Sequence, residues 1–349
     1  IKKNNMVPII FQFADIDFKN NYNGIEVYGV KVKKRWSLRK KSRVLLNACM
    51  RYYDTNNDIV VFGTHSIGVR KSGVRAIGIQ HGITCDIKRH ENYSHLMNLL
   101  YGFLKTLNSY RTVIKVRYFK ILVCVDYNFL NWYRTKLAYI ETPVKVIPNC
   151  TVVHNFIKNE TNNVNIIFAR RFYEYRGTKL FASVIKKIIM KYKSVNVTFA
   201  GSGPDEGYLR EMFKENPNVN FIEYNSEHSI EVHKNYQIAV VPSIGSEGTS
   251  LALIEAMAAK CAVIATNVGG MSNVILDHYN GLLVNPNESE LYNALEKLII
   301  DKDLRERLSN NGFLTVYEAF NRTLWEERWT SVFEEVSSDI KINIRKNLI

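Results

Sequence analysis

The sequence predicts an α/β protein with two domains, each built on a parallel β-sheet. A length of 349 residues suits two domains of about 150 residues better than one core. Short β-rich segments alternate with helical segments throughout the second half, and less regularly in the first half. Strands of four to eight residues that alternate with helices indicate βαβ units and a doubly wound sheet.

The second half contains the more regular series. Its predicted strands are VNIIFARRF, VNVTFAGSGP, VNFIEY, IAVVPS, CAVIATNVGG and GLLVNP. Its predicted helices are GTKLFASVIKKIIMKY, DEGYLREMFKEN, SIEVHKNY, EGTSLALIEAMAAK and ESELYNALEKLIIDKDLRERLSNNG. In an open parallel sheet of this kind, ligands bind beyond the carboxyl ends of the strands.

The first half has the same mixture of elements. Its predicted strands are GIEVYGVKV, DIVVFGTH, RAIGIQHG, KILVCVD and VKVIPN, and helices are predicted around 39–53, 92–107 and 127–137. We expect domains at 1–150 and 151–322, with the boundary near Pro148 and Asn149. Residues 323–349 then form an amphipathic helix that packs on the first domain and ends in a basic tail, because Trp325, Trp329 and Phe333 recur at helical spacing.

Composition excludes several classes of protein. Hydrophobic residues make up 46% of the chain, which is too many for a disordered protein, and no apolar run reaches the ~18 residues of a membrane span. The five cysteines are scattered without CxxC spacing, which predicts reduced thiols in a cytoplasmic protein. The eight histidines show no metal-ligand spacing, so we expect neither a structural metal nor a cofactor.

Charge is distributed unequally along the chain. Residues 1–150 contain 25 Lys and Arg against 9 Asp and Glu, a net charge of +16, whereas the remainder has 22 against 24. This asymmetry predicts a polyanionic partner for the first half, such as an anionic membrane surface, a phosphorylated lipid or nucleic acid. The stretch 31–43 concentrates the cations around an aromatic residue: Lys33, Lys34, Arg35, Trp36, Arg39 and Lys40.

The basic stretch 31–43 has two interpretations. It is a solvated charged face, or it is a membrane-surface or anionic-acceptor patch, which clustered cations beside an interfacial Trp favour. The segment 111–120 adds a similar patch. We therefore predict a protein on the inner face of the cytoplasmic membrane, and nucleic acid is disfavoured because no nucleic-acid-binding motif accompanies the charge.

Two glycine-rich turns follow strands of the second half. One contains Gly201 and Gly203, and the other runs from 243 to 250. The helix that begins at Gly248, Thr249 and Ser250 offers free backbone N–H groups to a phosphate, although the hydroxyls could instead only cap the helix.

Charged residues near these turns add to the pattern. Glu255 stands in an apolar helix, so its carboxylate needs a partner. Ribose hydroxyls would donate hydrogen bonds to it, or a cation would form a salt bridge with it. Arg171 and Arg176 lie on one strand-to-helix loop, where they form a diphosphate clamp or a solvated basic loop.

Taken together, the segments FARRFYEYRG, FAGSGP, VVPSIGSEGTSLALIEAMAAKCAVIATNVGG and GLLVNP resemble the nucleotide-sugar half of the group 1 (family 4) retaining glycosyltransferases. The resemblance spans about residues 140–335. It implies the GT-B fold, in which two Rossmann-like domains face each other across a cleft and a C-terminal helix returns to the first domain. It also implies a metal-independent transferase that uses a nucleoside-diphosphate-sugar, UDP-linked, as donor.

The resemblance assigns roles to individual residues. Glu255 would hold the ribose hydroxyls, Glu247 would reach the transferred sugar, and the amides of Gly248–Ser250 would bind the distal phosphate. Arg171 and Arg176 would neutralise the diphosphate. The family usually has Lys in place of Arg176, so Lys179 is a second candidate for that role.

Two further roles follow from the resemblance. Tyr224 would lie beside the base, and His81 would face the donor sugar across the cleft, although a lone His is often only a structural hydrogen-bonder. The family opens with a strand and a Gly-Gly loop, whereas here VPIIFQFADIDFKNNYNGIEVYGVKV resembles the later strands and no such loop precedes it. We therefore expect either that the beginning is lacking or that this first domain is reduced.

Three functions remain open. The first is a glycosyltransferase acting on a membrane-associated or polymeric acceptor in cell-surface polysaccharide or glycoconjugate synthesis. The second is a non-catalytic sugar-nucleotide-binding subunit of such an enzyme. The third is a sugar-nucleotide epimerase, which shares the fold.

Overall fold

The structure is a computed structural model that describes residues 6–83, 94–136, 141–156, 158 and 163–346. Cys85 and residues 347–349 of the predicted basic tail lie outside the described residues. Cys49, Cys124, Cys150 and Cys261 are free thiols. None of the helices in the described ranges is long and apolar enough to cross a membrane.

The first half contains two sheets. The first comprises β1 (Ile9–Ala14), β2 (Phe18–Tyr22) and β3 (Ile25–Lys31), and α1 (Leu38–Cys49) follows it. Within it, β3 is central, parallel to β1 and antiparallel to β2. The second sheet is parallel, and its strands lie in chain order: β4 (Val60–Phe62), β5 (Ala76–Gln80), β6 (Ile121–Cys124) and β7 (Val144–Val146). Helix α2 (His95–Lys115) connects β5 to β6, and helix α3 (Tyr127–Arg134) connects β6 to β7.

Two parts of the first half differ from the sequence prediction. Strands β1 and β2 are additional, and β2 has the polar sequence FKNNY, which carries no strand pattern and is extended because it pairs with β3. Helix α2 extends eight residues past the predicted end at 107, because Val113 is fully buried against the core and anchors the last turns.

The second half forms one six-stranded parallel sheet. Its elements in chain order are β8 (Val164–Ala169), α4 (Thr178–Lys191), β9 (Val195–Ala200), α5 (Glu206–Met212), β10 (Val219–Ile222), α6 (Ser229–His233), β11 (Ile238–Val241), α7 (Leu251–Ala258), β12 (Ala262–Thr266), β13 (Leu282–Val284), α8 (Glu288–Ile300), α9 (Lys302–Ala319) and α10 (Arg322–Lys346). The strand order is β10-β9-β8-β11-β12-β13.

The strand order of this sheet fixes where a ligand binds. The chain moves outward from β8 through β9 to β10, and then returns to place β11 on the other side of β8. The loops after β8 and β11 therefore leave the sheet in opposite directions, and a crevice opens between them. Such a reversal of strand order is the usual position of a ligand site in a doubly wound sheet.

One predicted helix is two helices in the structure. The segment that begins at 288 breaks at Asp301, whose backbone is extended and whose carboxylate accepts a hydrogen bond from Leu304 N at 2.9 Å. This is an N-cap, which begins α9 in a new direction.

The last helix connects the two halves of the chain. On α10, Val332, Phe333 and Val336 are buried against a core that includes Ile77 of β5 and Val123 of β6. The predicted return of the C-terminal helix to the first domain is thus confirmed within the described residues.

We predict that Phe333→Ala lowers the free energy of unfolding by about 3 kcal/mol, because it removes a buried ring at this junction. Chemical denaturation measures the change. Glu334→Ala, an exposed position on the same helix, is the control and should stay within about 0.5 kcal/mol of the wild type. Equal effects of the two substitutions would contradict the docking of α10.

Candidate functional site

A cluster of charged side chains occupies the crevice between β8 and β11. The loop after β8 supplies Arg170 and Arg176, and the loop after β11 supplies Ser243 and Glu247. Both loops leave the carboxyl ends of neighbouring strands, and so their side chains converge.

The centre of the cluster is a buried ion pair. The Arg170 Nη2 atom lies 2.7 Å from Glu247 Oε1 and 2.9 Å from Oε2, and the two side chains are only 4% and 9% exposed. Arg176 Nη1 donates to the same Oε1 atom, and the Ser243 hydroxyl donates to Oε2. Arg170 Nη1 also donates to Ser243 Oγ at 2.7 Å. Two cations thus share one carboxylate, which leaves these three side chains with a net charge of +1.

The neighbours of Glu247 decide its ionisation. Burial opposes the charged form, but the Arg170 and Arg176 guanidinium groups and the Ser243 hydroxyl more than offset it, so the pKa of Glu247 lies below its usual value. Burial lowers the pKa of Arg170, and the Glu247 carboxylate opposes that change. An arginine nevertheless stays protonated at neutral pH.

The backbone of Glu247 is held by a glycine turn after β12. The Gly270 N–H donates to the Glu247 carbonyl oxygen at 2.6 Å. Gly269 has φ +54°, and a Cβ added there would lie 2.1 Å from the same oxygen. The Gly-Gly sequence is therefore required for the backbone of the second loop to bring Glu247 to the crevice.

Glu255 lies in a different environment, one turn into α7. Its Oε2 atom accepts a hydrogen bond from the Ser229 hydroxyl at 2.6 Å, and burial raises the pKa of nearby Tyr224. Burial raises the pKa of Glu255, and the single serine donor offsets this only in part. A half-buried carboxylate with one side-chain donor can accept further hydrogen bonds, which sugar hydroxyls would supply.

The start of α7 has an unused hydroxyl. Ser250 occupies the N-cap position but makes no side-chain cap bond, and its buried Oγ atom has no hydrogen-bond partner among the described residues. Thr249 is engaged differently, because its hydroxyl donates to the carbonyl of Val125 in the first half. The helix start thus keeps free donors for an anion at the crevice.

The first half of the chain closes over this helix start. His81 and Asp126 follow the carboxyl ends of β5 and β6. A Cβ added at Gly248 would lie 2.7 Å from the His81 carbonyl oxygen and 3.2 Å from Asp126 Oδ2. The His81 Nε2 atom is hydrogen-bonded to the Gly63 carbonyl at 2.6 Å. The structure therefore places the backbone of His81 beside Gly248, while its imidazole contacts Gly63 of the same half. That His81 faces a donor sugar stays a prediction.

Several predicted residues lie outside the cluster of Arg170, Arg176 and Glu247. Arg171 is exposed, with its guanidinium carbon 5.8 Å from the centre of the Tyr173 ring, and its neighbour Arg170 is the residue that pairs with Glu247. The role of Arg171 toward a diphosphate stays a prediction. Lys179 is exposed and pairs with Glu174 at 3.3 Å. Gly201 and Gly203 approach the carbonyl oxygens of the loop after β8, and so they support that loop.

Other residues at the site were not predicted from the sequence. These are Arg170, Ser243, Ser229 and Asp126. The sequence shows only two adjacent arginines, and the structure distinguishes them: the Arg170 N–H donates to the Ala200 carbonyl at 2.9 Å and continues the ladder of β8 by one residue. Strand alternation then sends adjacent arginines to opposite sides, and only one of them enters the crevice.

No group of three or more His, Cys, Asp or Glu side chains that could hold a metal ion occurs within the residues that the structure describes. The charge that a diphosphate would meet at the crevice is supplied by arginine. The absence of a metal cofactor stays a prediction.

We predict that Glu247→Ala destabilises the protein by about 3–5 kcal/mol, because it leaves Arg170 buried without a counter-ion. Glu174→Ala, which breaks the exposed pair with Lys179, should cost no more than about 1 kcal/mol. Denaturant unfolding at pH 7 measures both.

The pH dependence of stability supplies a second readout of the same pair. The folded pKa of Glu247 lies below the unfolded value of about 4.3, so its contribution is present above that pH and is lost as the pH falls through the folded pKa. A wild-type curve that parallels the Glu247→Ala curve throughout acid titration would contradict the assignment.

Comparison with known proteins identifies the family of the second half. Residues 153–315 match the family "Glycosyl transferases group 1". The capsular polysaccharide biosynthesis glycosyltransferase CapM of Staphylococcus aureus is 28% identical over 187 residues, which are 52% of this chain and 49% of CapM. The gpi3 subunit of phosphatidylinositol N-acetylglucosaminyltransferase of Schizosaccharomyces pombe is 29% identical over 234 residues, 64% of this chain and 50% of that protein. The chain spans about half the length of the curated relatives it matches.

Solved structures agree on the architecture of the whole chain. Sucrose-phosphate synthase from Thermosynechococcus elongatus aligns with a TM-score of 0.75 at 15% identity, over 95% of this chain and 89% of that one. Anabaena HepE in complex with UDP-glucose aligns with a TM-score of 0.67 at 15% identity, over 89% and 86%. These likenesses confirm the GT-B fold, and residues 153–315 match the group 1 glycosyltransferase family.

Proposed function

We propose that this protein is a retaining glycosyltransferase, which moves a sugar from a UDP-linked donor to a glycan acceptor that is polymeric or membrane-associated. The observation that carries the proposal is the Arg170, Arg176 and Glu247 cluster at the reversal of strand order, with its net charge of +1 beside the free end of α7. A diphosphate requires such a combination of fixed cations and unpaired donors.

Glu255 supports the nucleoside part of the proposal. Its carboxylate lies in the same crevice region as Tyr224, whose pKa is raised by burial and, through a smaller contribution, by the charge of Glu255. Ribose hydroxyls would complete the hydrogen bonding of the carboxylate, and the Tyr224 ring would lie near the base. HepE, which has the same fold, is described in complex with UDP-glucose.

The proposed chemistry needs stabilisation of a leaving group. The bond between the sugar C1 and the β-phosphate oxygen breaks, and its electron pair remains on the diphosphate, whose charge Arg176 would neutralise. The acceptor hydroxyl attacks C1 on the same face, and its proton passes to the departing phosphate oxygen. Glu247 fixes Arg170 and Arg176 in place for this step.

Two relatives support a glycan or glycolipid acceptor. CapM is named for capsular polysaccharide biosynthesis, and the gpi3 protein for N-acetylglucosamine transfer to phosphatidylinositol. The cations of 31–43 are mostly exposed in the structure, as an anionic acceptor or membrane would require. Lys40 lies over the Trp36 ring at 4.5 Å.

Calorimetric titration with UDP, GDP and ADP, followed by assays of UDP-sugar hydrolysis and transfer, tests the proposal. We expect micromolar to millimolar binding of one nucleotide and slow hydrolysis of its sugar conjugate. Binding without hydrolysis or transfer would favour the non-catalytic subunit, and interconversion of donor sugars would favour the epimerase. No binding of any nucleotide would overturn all three functions.

We predict that Glu255→Ala weakens nucleotide binding by about 1.5–3 kcal/mol, the usual effect of losing hydrogen bonds to a charged group. Titration calorimetry measures the dissociation constant. Glu231→Ala is the matched control, because Glu231 lies on neighbouring α6 but is exposed and pairs with Lys234. A loss of thermal stability with intact binding would show that Glu255 is structural.

Nucleotide affinity should also depend on pH through Glu255. Its pKa in the free protein is raised, and sugar hydroxyls would bind the ionised form, so affinity should be greatest above that pKa and fall as the pH falls through it. Glu247 remains ionised over this range because its pKa is lowered. Titrations between pH 8 and pH 5 should show the decline in the wild type, and Glu255→Gln should flatten it.

We predict that Arg176→Ala lowers kcat about 100-fold or more, with a smaller rise in the donor KM, because the charge on the diphosphate grows in the transition state. Arg171→Ala should have a smaller effect, since its side chain is exposed and does not pair with Glu247. Lys179→Ala serves as the control cation. If Lys179→Ala has the largest effect of the three, Lys179 and not Arg176 neutralises the leaving group.

A further inference from the structure

Helix α2 presents its apolar side to solvent. Leu96, Leu100, Phe103, Leu107, Tyr110 and Ile114 are between 39% and 75% exposed, and we call these six residues the α2 outer face. They recur at spacings of four and three, which places them on one side of the helix. Met97, Leu99 and Leu104 widen the exposed apolar surface at its N-terminal end.

A helix that only packs on a soluble domain would bury its apolar side and expose its polar side. The residues of α2 that face the protein are small or polar, apart from Val113. Gly102 and Thr106 are half-buried, Ser109 and Val113 are buried, and these four share another side of the helix. An apolar surface of this extent on a soluble protein marks an interaction site.

The charge around the α2 outer face indicates the partner. Residues 94–120 contain no Asp or Glu, and they include Lys105, Arg111, Lys115, Arg117 and Lys120. An apolar stripe with cations beside it and no acids is the pattern of a helix that lies in the interface of an anionic bilayer. A second copy of the same face would bring like charges together, which opposes self-association.

The basic patch on α1 lies near α2. Both helices pack against the short 3-10 turn His65–Ile67, and Lys115 Nζ donates to the Ser66 carbonyl at 2.7 Å. The exposed cations Arg39, Lys40 and Arg43 of α1 therefore belong to the same region of the first half as α2. Cations and apolar side chains are thus combined in one part of the surface.

We propose that the α2 outer face inserts into the interface of an anionic membrane, with the α1 cations contacting the headgroups. The apolar stripe, the absence of acids and the adjoining cations together carry the proposal. It deepens the proposed function by assigning the membrane contact mainly to α2, and it rests on that function only for the location of the acceptor.

Flotation of the full chain with phospholipid vesicles tests the proposal. Vesicles of phosphatidylcholine and phosphatidylglycerol in equal parts should bind the wild type, and pure phosphatidylcholine should bind it much more weakly. Leu100→Glu combined with Leu107→Glu should lower the partition coefficient at least tenfold. The matched control combines Met190→Glu and Ile300→Glu, two exposed apolar positions in the second half, and should leave binding unchanged.

A second set of variants separates insertion from attraction. Replacing Lys33, Lys34, Arg39 and Lys40 with glutamine should weaken binding at low salt and have little effect in 1 M salt, where the Debye length is about 3 Å. The α2 variant should remain defective at both salt concentrations. UDP titration of each variant checks that it is folded. If the wild type does not bind UDP, that result counts against the proposed function and not against the membrane contact of α2.

Three results would overturn the proposal. The wild type could ignore anionic vesicles, or the α2 variant could bind them as well as the wild type. Sedimentation without lipid could also show a wild-type dimer that Leu100→Glu and Leu107→Glu convert to monomer. In that case the α2 outer face would be an interface between two copies of the chain.

Discussion

The arrangement of the candidate site depends on the buried pair of Arg170 and Glu247. Each side chain comes from a different loop at the reversal of strand order, and neither charge could be buried without the other. The pair orients Arg176 and Ser243, which also contact the carboxylate, and the Glu247 backbone is tied to the Gly-Gly turn after β12. Three loops of the six-stranded sheet are therefore fixed relative to one another by one residue, Glu247.

The two acids at either end of the helix start have different physical roles because their environments differ. Glu247 is surrounded by donors and stays ionised, so it serves as a fixed counter-ion. Glu255 is half-buried with one serine donor, so its charge is unfavourable until hydroxyl donors arrive. The sequence shows only that the two acids lie at the two ends of one segment. The surrounding side chains determine that Glu247 holds its neighbours in place and that Glu255 can bind a ligand.

Much of the fold could be predicted from the sequence, since the strands and helices of the second half are strongly periodic and near in sequence to their partners. The prediction of secondary structure was wrong where strand pairing or a helix cap outweighs the hydrophobic pattern. Strand β2 is polar, and Asp301 begins a new helix inside a predicted one. At the site, Glu247 and Glu255 were selected because acids are rare in apolar segments. The part played by Arg170 could not be predicted, because two adjacent arginines look alike in the sequence, and the directions of their side chains depend on how far β8 continues its ladder.

The contact between the two halves at Gly248 has a consequence for access to the crevice. Gly82, Gly248 and Gly270 meet there beside the side chains of Val125 and Asp126, and the Thr249 hydroxyl donates to the Val125 carbonyl of the other half. Glycines contribute few van der Waals contacts of their own, and water can replace the hydrogen bond when the halves separate. Separation of the halves at the crevice would therefore cost less than separation at α10, whose apolar packing keeps the halves attached.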